Sequence, residues 1–371
     1  MQDERHRKRC VASRWRTGAV LIAAACVLAL RDAAPAGAQP TQGAPGGEAT
    51  AELASPIGPL AYTPGRGLRL GDTRVTLGGY ANVDLTRDEG GPARLGLDDL
   101  AVFVIADPTP RFHLFSELEV EDLVEVDDHG RGGTPDHDFI AERLYGDANL
   151  TDELTVRVGK FLTPVGRWNV IHAQPLVWTT SRPLATLLPF DSHVTGAMLY
   201  GTFFPSAGAV TYSLYGQFVN QLDPVRQPQP ADRSAGGRLE FTPGHGASVG
   251  ASYFAFTDQG DWQHLGGLDT LWQHDPFELM GEFVYEGASA SVGDQWGLYL
   301  QGVLRVTQRF YLVQRYEHFD QRAPQPEVNL VILGVAYKPT PPMILKAEYL
   351  IADHPAVESP PGIKFSFAIL F

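Results

Sequence analysis

From about residue 73 to residue 371 the chain consists of short segments in which apolar and polar side chains alternate. In the segment 111–121, RFHLFSELEVE, three glutamates (Glu117, Glu119 and Glu121) occupy every second position. An alternation with a period of two places them on one face of a β-strand. No apolar stripe with the 3.6-residue period of a helix continues over a helical length. The pattern therefore predicts an all-β chain.

Sixteen segments fit this alternation, and the links between them differ in length in a regular way. The predicted strands are 73–86, 97–106, 111–121, 138–149, 153–161, 194–204, 208–219, 233–242, 247–257, 266–274, 277–287, 294–305, 309–319, 327–338, 343–352 and 362–371. Tight turns alternate with longer links near 87–96, 122–137, 162–193, 220–232, 258–265, 288–293, 320–326 and 353–361. Short turns at one rim, long loops at the other and an even strand number are typical of membrane barrels. We therefore predict a transmembrane antiparallel β-barrel of 16 strands.

The first residues have a different composition. A basic stretch precedes an apolar run of twelve residues, 19–30, and the small residues Ala36 and Ala38 follow. This order predicts a secretory signal peptide, residues 1–38. An uncleaved anchor is the alternative, but twelve residues are too few for a helix to cross about 30 Å of hydrocarbon. Residues 39–67 are rich in Pro and Gly and predict a flexible periplasmic leader, and 68–371 form the predicted barrel.

Composition and charge narrow the classes of function. The chain carries a net charge of −14, so we expect no binding to nucleic acid. Both cysteines, Cys10 and Cys26, lie in the predicted signal peptide, which would leave the exported protein without a disulfide. Acidic residues and histidines at 127–129 and 136–138 could bind a divalent cation, but a solvated loop is the simpler interpretation. We predict no metal and no cofactor.

One stretch after the fifth predicted strand resembles a known family. It contains RVGKF at 157–161 and TPVG at 163–166. This is similar to the RxGxF…PFG segment of the outer-membrane porin superfamily, in particular the phosphate-selective porin O and P type. Val165 stands where that family has Phe. The likeness in architecture covers 73–371.

The resemblance implies a location, a constriction loop and partners. It places the protein in the outer membrane of a Gram-negative bacterium, where the barrel would contact lipid. Porins of this type are usually trimers, so the resemblance also implies a homotrimer. The alternating strand that ends at Phe371 resembles the signal that the barrel insertion machinery recognises. The link 162–193 would fold into the barrel as the constriction loop, with an outward surface lid as the alternative. Its candidate polar residues are Arg167, His172, Arg182, Asp191 and His193.

The parity of each strand indicates which charged side chains face the lumen. The pore-lining candidates are Glu117, Glu119, Glu121, Arg157, Arg238, Arg315, Glu317, Lys346 and Glu348, with Asp84, Glu240, Glu278, Glu282, Glu286, Arg305 and Lys364. The alternation leaves open whether Glu142 or Arg143 faces inward. Since acidic side chains predominate, we predict a porin for passive diffusion of small hydrophilic solutes or ions with a weak preference for cations. A phosphate-selective or other anion-selective porin is the alternative that the resemblance implies.

An outer-membrane barrel enzyme, such as a lipid hydrolase, is a second alternative. It would need a Ser/His or Asp/His set within hydrogen-bond reach. The candidates are His172 near Thr180 and Ser181, and the adjacent residues Asp191–His193. Neighbours in an extended chain point apart, and the sequence has no G-x-S-x-G motif. We therefore predict no enzymatic activity and no catalytic residues.

Overall fold

The computed structural model describes residues 51–53, 55, 57–130, 132–133, 139–219, 231, 233–244, 246–258, 260–287, 293–322, 324–354 and 359–371. The predicted signal peptide, 1–38, and the first part of the predicted leader lie outside these residues. The described chain forms one sheet of twenty strands. No helix within the described ranges is long and apolar enough to cross a membrane.

Strands dominate, and two short helices lie between β9 and β10. The strands are β1 (Ala51–Leu53), β2 (Leu60–Thr63), β3 (Gly67–Leu70), β4 (Val75–Asp88), β5 (Ala93–Thr109), β6 (Phe112–Asp127), β7 (Gly132–Gly133), β8 (Phe139–Asn149), β9 (Thr155–Leu162), β10 (His193–Phe203), β11 (Ala209–Gln217), β12 (Ser234–Gly244), β13 (Ala247–Asp258), β14 (Asp261–His274), β15 (Phe277–Gly287), β16 (Gln295–Arg305), β17 (Phe310–Asp320), β18 (Val328–Tyr337), β19 (Met343–Ala352) and β20 (Gly362–Leu370). The helices are α1 (Trp168–Ile171) and α2 (Leu184–Leu187).

The strands β4–β6 and β8–β20 close into a barrel. Each is antiparallel to the next, and β20 returns to pair with β4 from Gly362 opposite Asp88 to Leu370 opposite Tyr80. These 16 strands correspond to the 16 predicted segments, so the prediction of a closed antiparallel barrel is confirmed. Closure pairs the backbone groups that an open edge would leave without partners in lipid.

The alternation along each strand separates an apolar outer face from an inner face. On β20, Ile363, Phe365 and Phe367 are exposed by 42, 45 and 37 %, whereas Ser366 and Ala368 between and beside them are buried. The same contrast recurs around the barrel, where large apolar side chains are exposed at every second position. Such an outer face suits contact with lipid chains.

Two links are much shorter than the sequence indicated. Near the links predicted as long at 87–96 and 258–265, β4 ends at Asp88 and β5 begins at Ala93, and β13 ends at Asp258 and β14 begins at Asp261, because these strands extend further than predicted. Polar residues at the strand ends obscured this extension, as at Asp261, where β14 begins. A polar side chain facing water beyond the lipid interrupts the apolar alternation without ending the strand.

Part of the segment predicted as a flexible leader is ordered into strands. β1, β2 and β3 form an antiparallel meander, and β3 pairs with β4 at Leu68–Leu77 and Arg69–Thr76. β4 starts before the position at which β20 ends, so a short stretch of its edge would otherwise lack a partner. The meander covers that edge, and covering an edge removes a site for unwanted strand pairing. The other predicted domain boundaries remain predictions.

Candidate functional site

The predicted lumen-facing charges lie on the inner face of the wall. On β17, Arg315 and Glu317 are each 1 % exposed, whereas Tyr316 between them is 45 % exposed. On β19, Lys346 and Glu348 are likewise buried. Glu117, Glu119, Arg157 and Arg238 also have buried or half-buried side chains that contact other inner residues. Glu121 is half-buried on the same face of β6.

A β-bulge resolves the ambiguity at Glu142 and Arg143. Glu117 of β6 pairs with Arg143, while Leu118 pairs with Ala141, so Glu142 is an extra residue in β8. Both side chains of the bulge have inner partners: Glu142 Oε1 lies 2.7 Å from Nε2 of His193, and Arg143 donates from Nε to Glu117. Neither of the two sequence alternatives holds alone, because a bulge breaks the strict alternation of faces.

Two further bulges add acidic residues that the sequence analysis missed. The pairing of β5 with its neighbours shifts between Leu97 and Asp99, which makes Asp98 an extra residue in β5. On β6, the strand that pairs with β5 at this point, the register shift includes Asp122, whose φ is 51°. Aspartate adopts this left-handed conformation more readily than most residues. The sequence contains two weak signals of these bulges. They are the adjacent acids Asp98 and Asp99 in β5, and Asp122 in β6.

The chain between β9 and β10, residues 163–192, is named the inner loop. Its backbone N–H groups donate hydrogen bonds to three glutamates of the opposite wall: Glu282 of β15, Glu317 of β17 and Glu348 of β19. The bonds run from Arg167 N (3.1 Å) and Trp168 N (2.7 Å) to Glu282, from Leu184 N (2.7 Å) to Glu317, and from Thr180 N (3.1 Å) and Ser181 N (2.8 Å) to Glu348. The loop therefore reaches inward-facing carboxylates on three separate strands.

Basic side chains of the same wall also contact the inner loop. Arg315 donates from Nη1 to Thr179 Oγ1 at 2.5 Å and from Nη2 to the Ser181 carbonyl at 2.9 Å. Lys346 donates from Nζ to the carbonyls of Gln174 at 3.0 Å and Thr179 at 3.2 Å. Four predicted pore-lining residues, Arg315, Glu317, Lys346 and Glu348, thus contact the inner loop.

Two arginines of the inner loop have different partners. Arg182 donates within the loop, from Nη2 to Asn169 Oδ1 at 2.7 Å and to the Thr186 carbonyl at 2.6 Å. Burial of this guanidinium lowers the pKa of Arg182 to about 10, so it remains charged at neutral pH. Arg167 reaches the wall, where its Nη2 lies 3.1 Å from Glu240 Oε2 and donates to Ser248 Oγ at 2.7 Å.

The candidate catalytic residues do not form a triad. The Nε2 atom of His193 contacts Glu142 Oε1, and the hydroxyl of Ser192 accepts from Arg182 at 3.1 Å. Both ring nitrogens of His172 lack a hydrogen-bond partner among the described residues, and burial lowers the pKa of His172 to about 3. Burial raises the pKa of Asp191 to about 6, opposed by the hydrogen bond from the His193 backbone. His172 Nε2 lies 3.5 Å from the same Glu142 oxygen, so the two histidines flank one carboxylate, whereas within the described chain the Ser192 hydroxyl contacts neither of them.

Two cavities flank the inner loop and differ in charge. The acidic cavity, about 260 Å³, lies between the loop at Thr180–Arg182 and the ends of β4, β5, β6 and β20 near the long-loop rim. Its charged lining residues are Asp84, Asp98, Asp122, Glu125, Arg94, Arg182 and Lys364. The arginine cavity, about 240 Å³, lies against β8–β12. Its charged lining residues are Arg143, Arg157, Arg238 and Glu240.

The cation-binding alternative of the sequence analysis involved residues 127–129 and 136–138. Residues 136–138 of the predicted cation-binding alternative lie outside the described residues. Across the described ranges, no group of three or more His, Cys, Asp or Glu side chains is placed to hold a metal ion.

Comparison with known proteins identifies the fold. No family model matches the chain. An uncharacterized protein of Aquifex aeolicus (strain VF5) is 25 % identical over 364 residues, covering 80 % of this chain and 81 % of that protein. Similar solved structures cover 80 % of this chain: an anion-selective porin from Comamonas acidovorans (15 % identity, 99 % of that chain, TM-score 0.58), Salmonella typhi OmpF in complex with daunomycin (9 %, 97 %, 0.57) and in-vitro folded OmpT of Vibrio cholerae in a trimer form (13 %, 98 %, 0.51). The chain has the fold of these outer-membrane porins, a closed antiparallel β-barrel of 16 strands.

Proposed function

We propose that the protein is an outer-membrane porin that lets small hydrophilic solutes and ions diffuse passively. The closed barrel with an apolar outer face and a charged inner face carries this proposal, because such a wall separates lipid from water. The inner loop contacts β15, β17 and β19 and leaves cavities along β4–β6 and β8–β12, which suits a narrowed water-filled passage. A lipid hydrolase is less favoured, since among the described residues the Ser192 hydroxyl contacts Arg182 and not a histidine, while His193 and His172 both lie against Glu142.

A weak preference for cations is part of this proposal. The acidic cavity adds Asp98 and Asp122 to the carboxylates expected from strand parity, and its lining has four acids against three bases. Rings of carboxylates favour cations. The anion-selective alternative keeps one supporting observation, the arginine cavity, whose lining has three arginines against one glutamate. A trimer, insertion through the strand ending at Phe371 and lipid contact by the outer face also belong to the proposal.

Planar-bilayer recording of the purified full chain tests both parts. We expect stepwise current increments in symmetric KCl, and in a salt gradient a reversal potential with the sign of a cation preference. An absence of increments from a preparation shown to be folded would contradict the channel. A reversal potential of anion sign would replace the cation preference with the anion-selective alternative.

A further inference from the structure

The arginine cavity combines fixed cationic groups with an apolar side. Its three arginines come from three strands, Arg143 from β8, Arg157 from β9 and Arg238 from β12. The other lining residues come from the inner loop and from β9 to β12; they are Leu162, Pro164, Val170, Met198, Tyr200, Thr211, Tyr212, Ser213 and Glu240. The cavity therefore belongs to the open part of the lumen and lies beside the inner loop.

Arg157 is held in a fixed orientation. It donates from Nε and Nη2 to the two carboxylate oxygens of Asp147, both at 2.8 Å. Its guanidinium carbon lies 3.6 Å from the ring centre of Tyr145 and 5.0 Å from that of Tyr200. The Tyr200 hydroxyl also donates to Asp147 at 2.9 Å. A guanidinium fixed by a bidentate pair and two rings loses little conformational entropy when it binds a ligand.

Three of the acids that pair with the arginines, Glu117, Asp147 and Asp269, are not among the lining residues of the cavity, whereas Glu240 is. Arg143 pairs with Glu117 and Arg238 with Asp269, and both carboxylate side chains are at most 1 % exposed. Glu240, in the lining, accepts from Arg238 Nη2 at 2.6 Å, so Arg238 is paired on both sides and Arg143 and Arg157 are the arginines left to bind a ligand. Within the described residues, Nη1 of Arg157 has no hydrogen-bond partner. Donors thus remain that a ligand carboxylate can use.

Part of the cavity lining is apolar. Leu162 and Met198 belong to the wall, where Met198 is the cross-strand partner of Arg157, and Pro164 and Val170 belong to the inner loop. Inorganic phosphate and chloride have no apolar part that could contact this surface. A dianion would also be repelled by the carboxylate of Glu240. A ligand with one carboxylate and a compact apolar body would match the arginines with its carboxylate and the apolar residues with its body. About 240 Å³ is sufficient for a single aromatic ring with its carboxylate.

We propose that the arginine cavity is a binding subsite for monocarboxylates with a small aromatic or branched apolar body. This inference rests on the proposed channel function and deepens it, because it names a class of solute that the channel would carry. Arg157 is the principal carboxylate contact, and Val170 of the inner loop faces the apolar body.

Isothermal titration calorimetry on the full chain in detergent tests the subsite, with sodium benzoate as the probe and acetate and inorganic phosphate as comparisons. We expect benzoate to bind about tenfold more tightly than either comparison. Equal affinities for benzoate and acetate, or no heat with benzoate, would overturn the proposal.

Variants locate the binding. The double variant Asp147→Asn/Arg157→Gln removes both charges of one pair, so it leaves no buried charge without a partner, and we expect it to weaken benzoate binding about tenfold or more. The matched control Asp107→Asn/His113→Gln removes an exposed Asp–His contact outside the cavity and is expected to leave binding unchanged. Should the first variant fail to fold, Val170→Asp places a carboxylate at a partly exposed position of the lining and is expected to abolish binding. Benzoate binding that survives in a folded variant would contradict the subsite.

Conductance separates this inference from the function on which it rests. Channel increments without benzoate binding would leave the porin intact and reject the subsite. Benzoate binding without increments would reject the channel function and, with it, the role of the subsite in transport.

Discussion

The two sides of the barrel lumen are both charged, but they use their charges differently. On β15, β17 and β19 the buried carboxylates Glu282, Glu317 and Glu348 accept hydrogen bonds from backbone N–H groups of the inner loop. On β4–β6 and β8–β12 the charged side chains line two cavities. An inward-facing charge is therefore not by itself a pore-lining charge. The first side anchors the backbone of the loop. The second side, which the loop reaches through the contact of Arg167 with Glu240, is in our proposal the side that water and solutes contact.

Removing one of the three glutamates that hold the inner loop should have the largest effect on stability. Glu282 accepts from the backbone N–H of Arg167 and Trp168 and from the Tyr299 hydroxyl at 2.8 Å. Glu282→Ala leaves these donors without their acceptor, so we expect the free energy of unfolding to fall by roughly 4 kcal/mol and the open-channel current to become noisier. Thermal unfolding in detergent and single-channel recording measure the two effects. The exposed Glu327→Ala is the control, and equal losses in both variants would contradict the anchoring role.

A substitution at Gly166 of the inner loop tests the same contact with Glu282. Gly166 has a φ of 64°, and an added Cβ would lie 1.8 Å from a carboxylate oxygen of Glu282. Gly293 also has a positive φ, 80°, but an added Cβ there meets nothing within 4 Å. We expect Gly293→Ala to cost about 1 kcal/mol from backbone strain alone and Gly166→Ala to cost clearly more. Similar melting temperatures for the two variants would show that the loop is not tightly packed at Glu282.

The open side should control ion selectivity. Asp98 and Asp122 line the acidic cavity, and Asp98→Asn/Asp122→Asn removes both carboxyl groups with little change in volume. We expect the reversal potential in a KCl gradient to move toward anions by several millivolts. The exposed turn residue Asp152, changed to Asn, serves as the control and should cause no shift. An equal shift in the control would indicate that overall charge, and not the cavity, sets the selectivity.

The smallest effect concerns pH. Burial raises the pKa of Asp191 to about 6. As the pH falls, Asp191 is therefore protonated at a higher pH in the folded protein than in the unfolded chain. The contribution of Asp191 to stability is therefore complete at pH values below about 4 and is lost as the pH rises through 6. Asp191→Asn should melt a few degrees above the wild type at pH 7 and at the same temperature at pH 4. His172, with a lowered pKa, acts in the opposite direction but equally in both proteins, so the difference between them isolates Asp191.

The sequence predicted the barrel because sixteen strands repeat one pattern, and errors in single strands do not change the whole. It could not predict the bulges at Asp98, Asp122 and Glu142, since one extra residue changes the face of a side chain without altering composition. It also could not separate anchoring from pore-lining charges. Glu348 and Glu119 look alike in their strands, and only the path of the inner loop gives Glu348 backbone donors.

The central claim is that water and ions pass along β4–β12 and not between the inner loop and β15–β19. Cysteine accessibility tests it directly, since the two native cysteines lie at positions 10 and 26, within the predicted signal peptide. A charged methanethiosulfonate reagent, added during bilayer recording, should reduce the current of Thr86→Cys and Ser213→Cys, which line the two cavities, and leave Thr186→Cys, buried in the inner loop, unaffected. A block at position 186 with none at positions 86 and 213 would contradict the account.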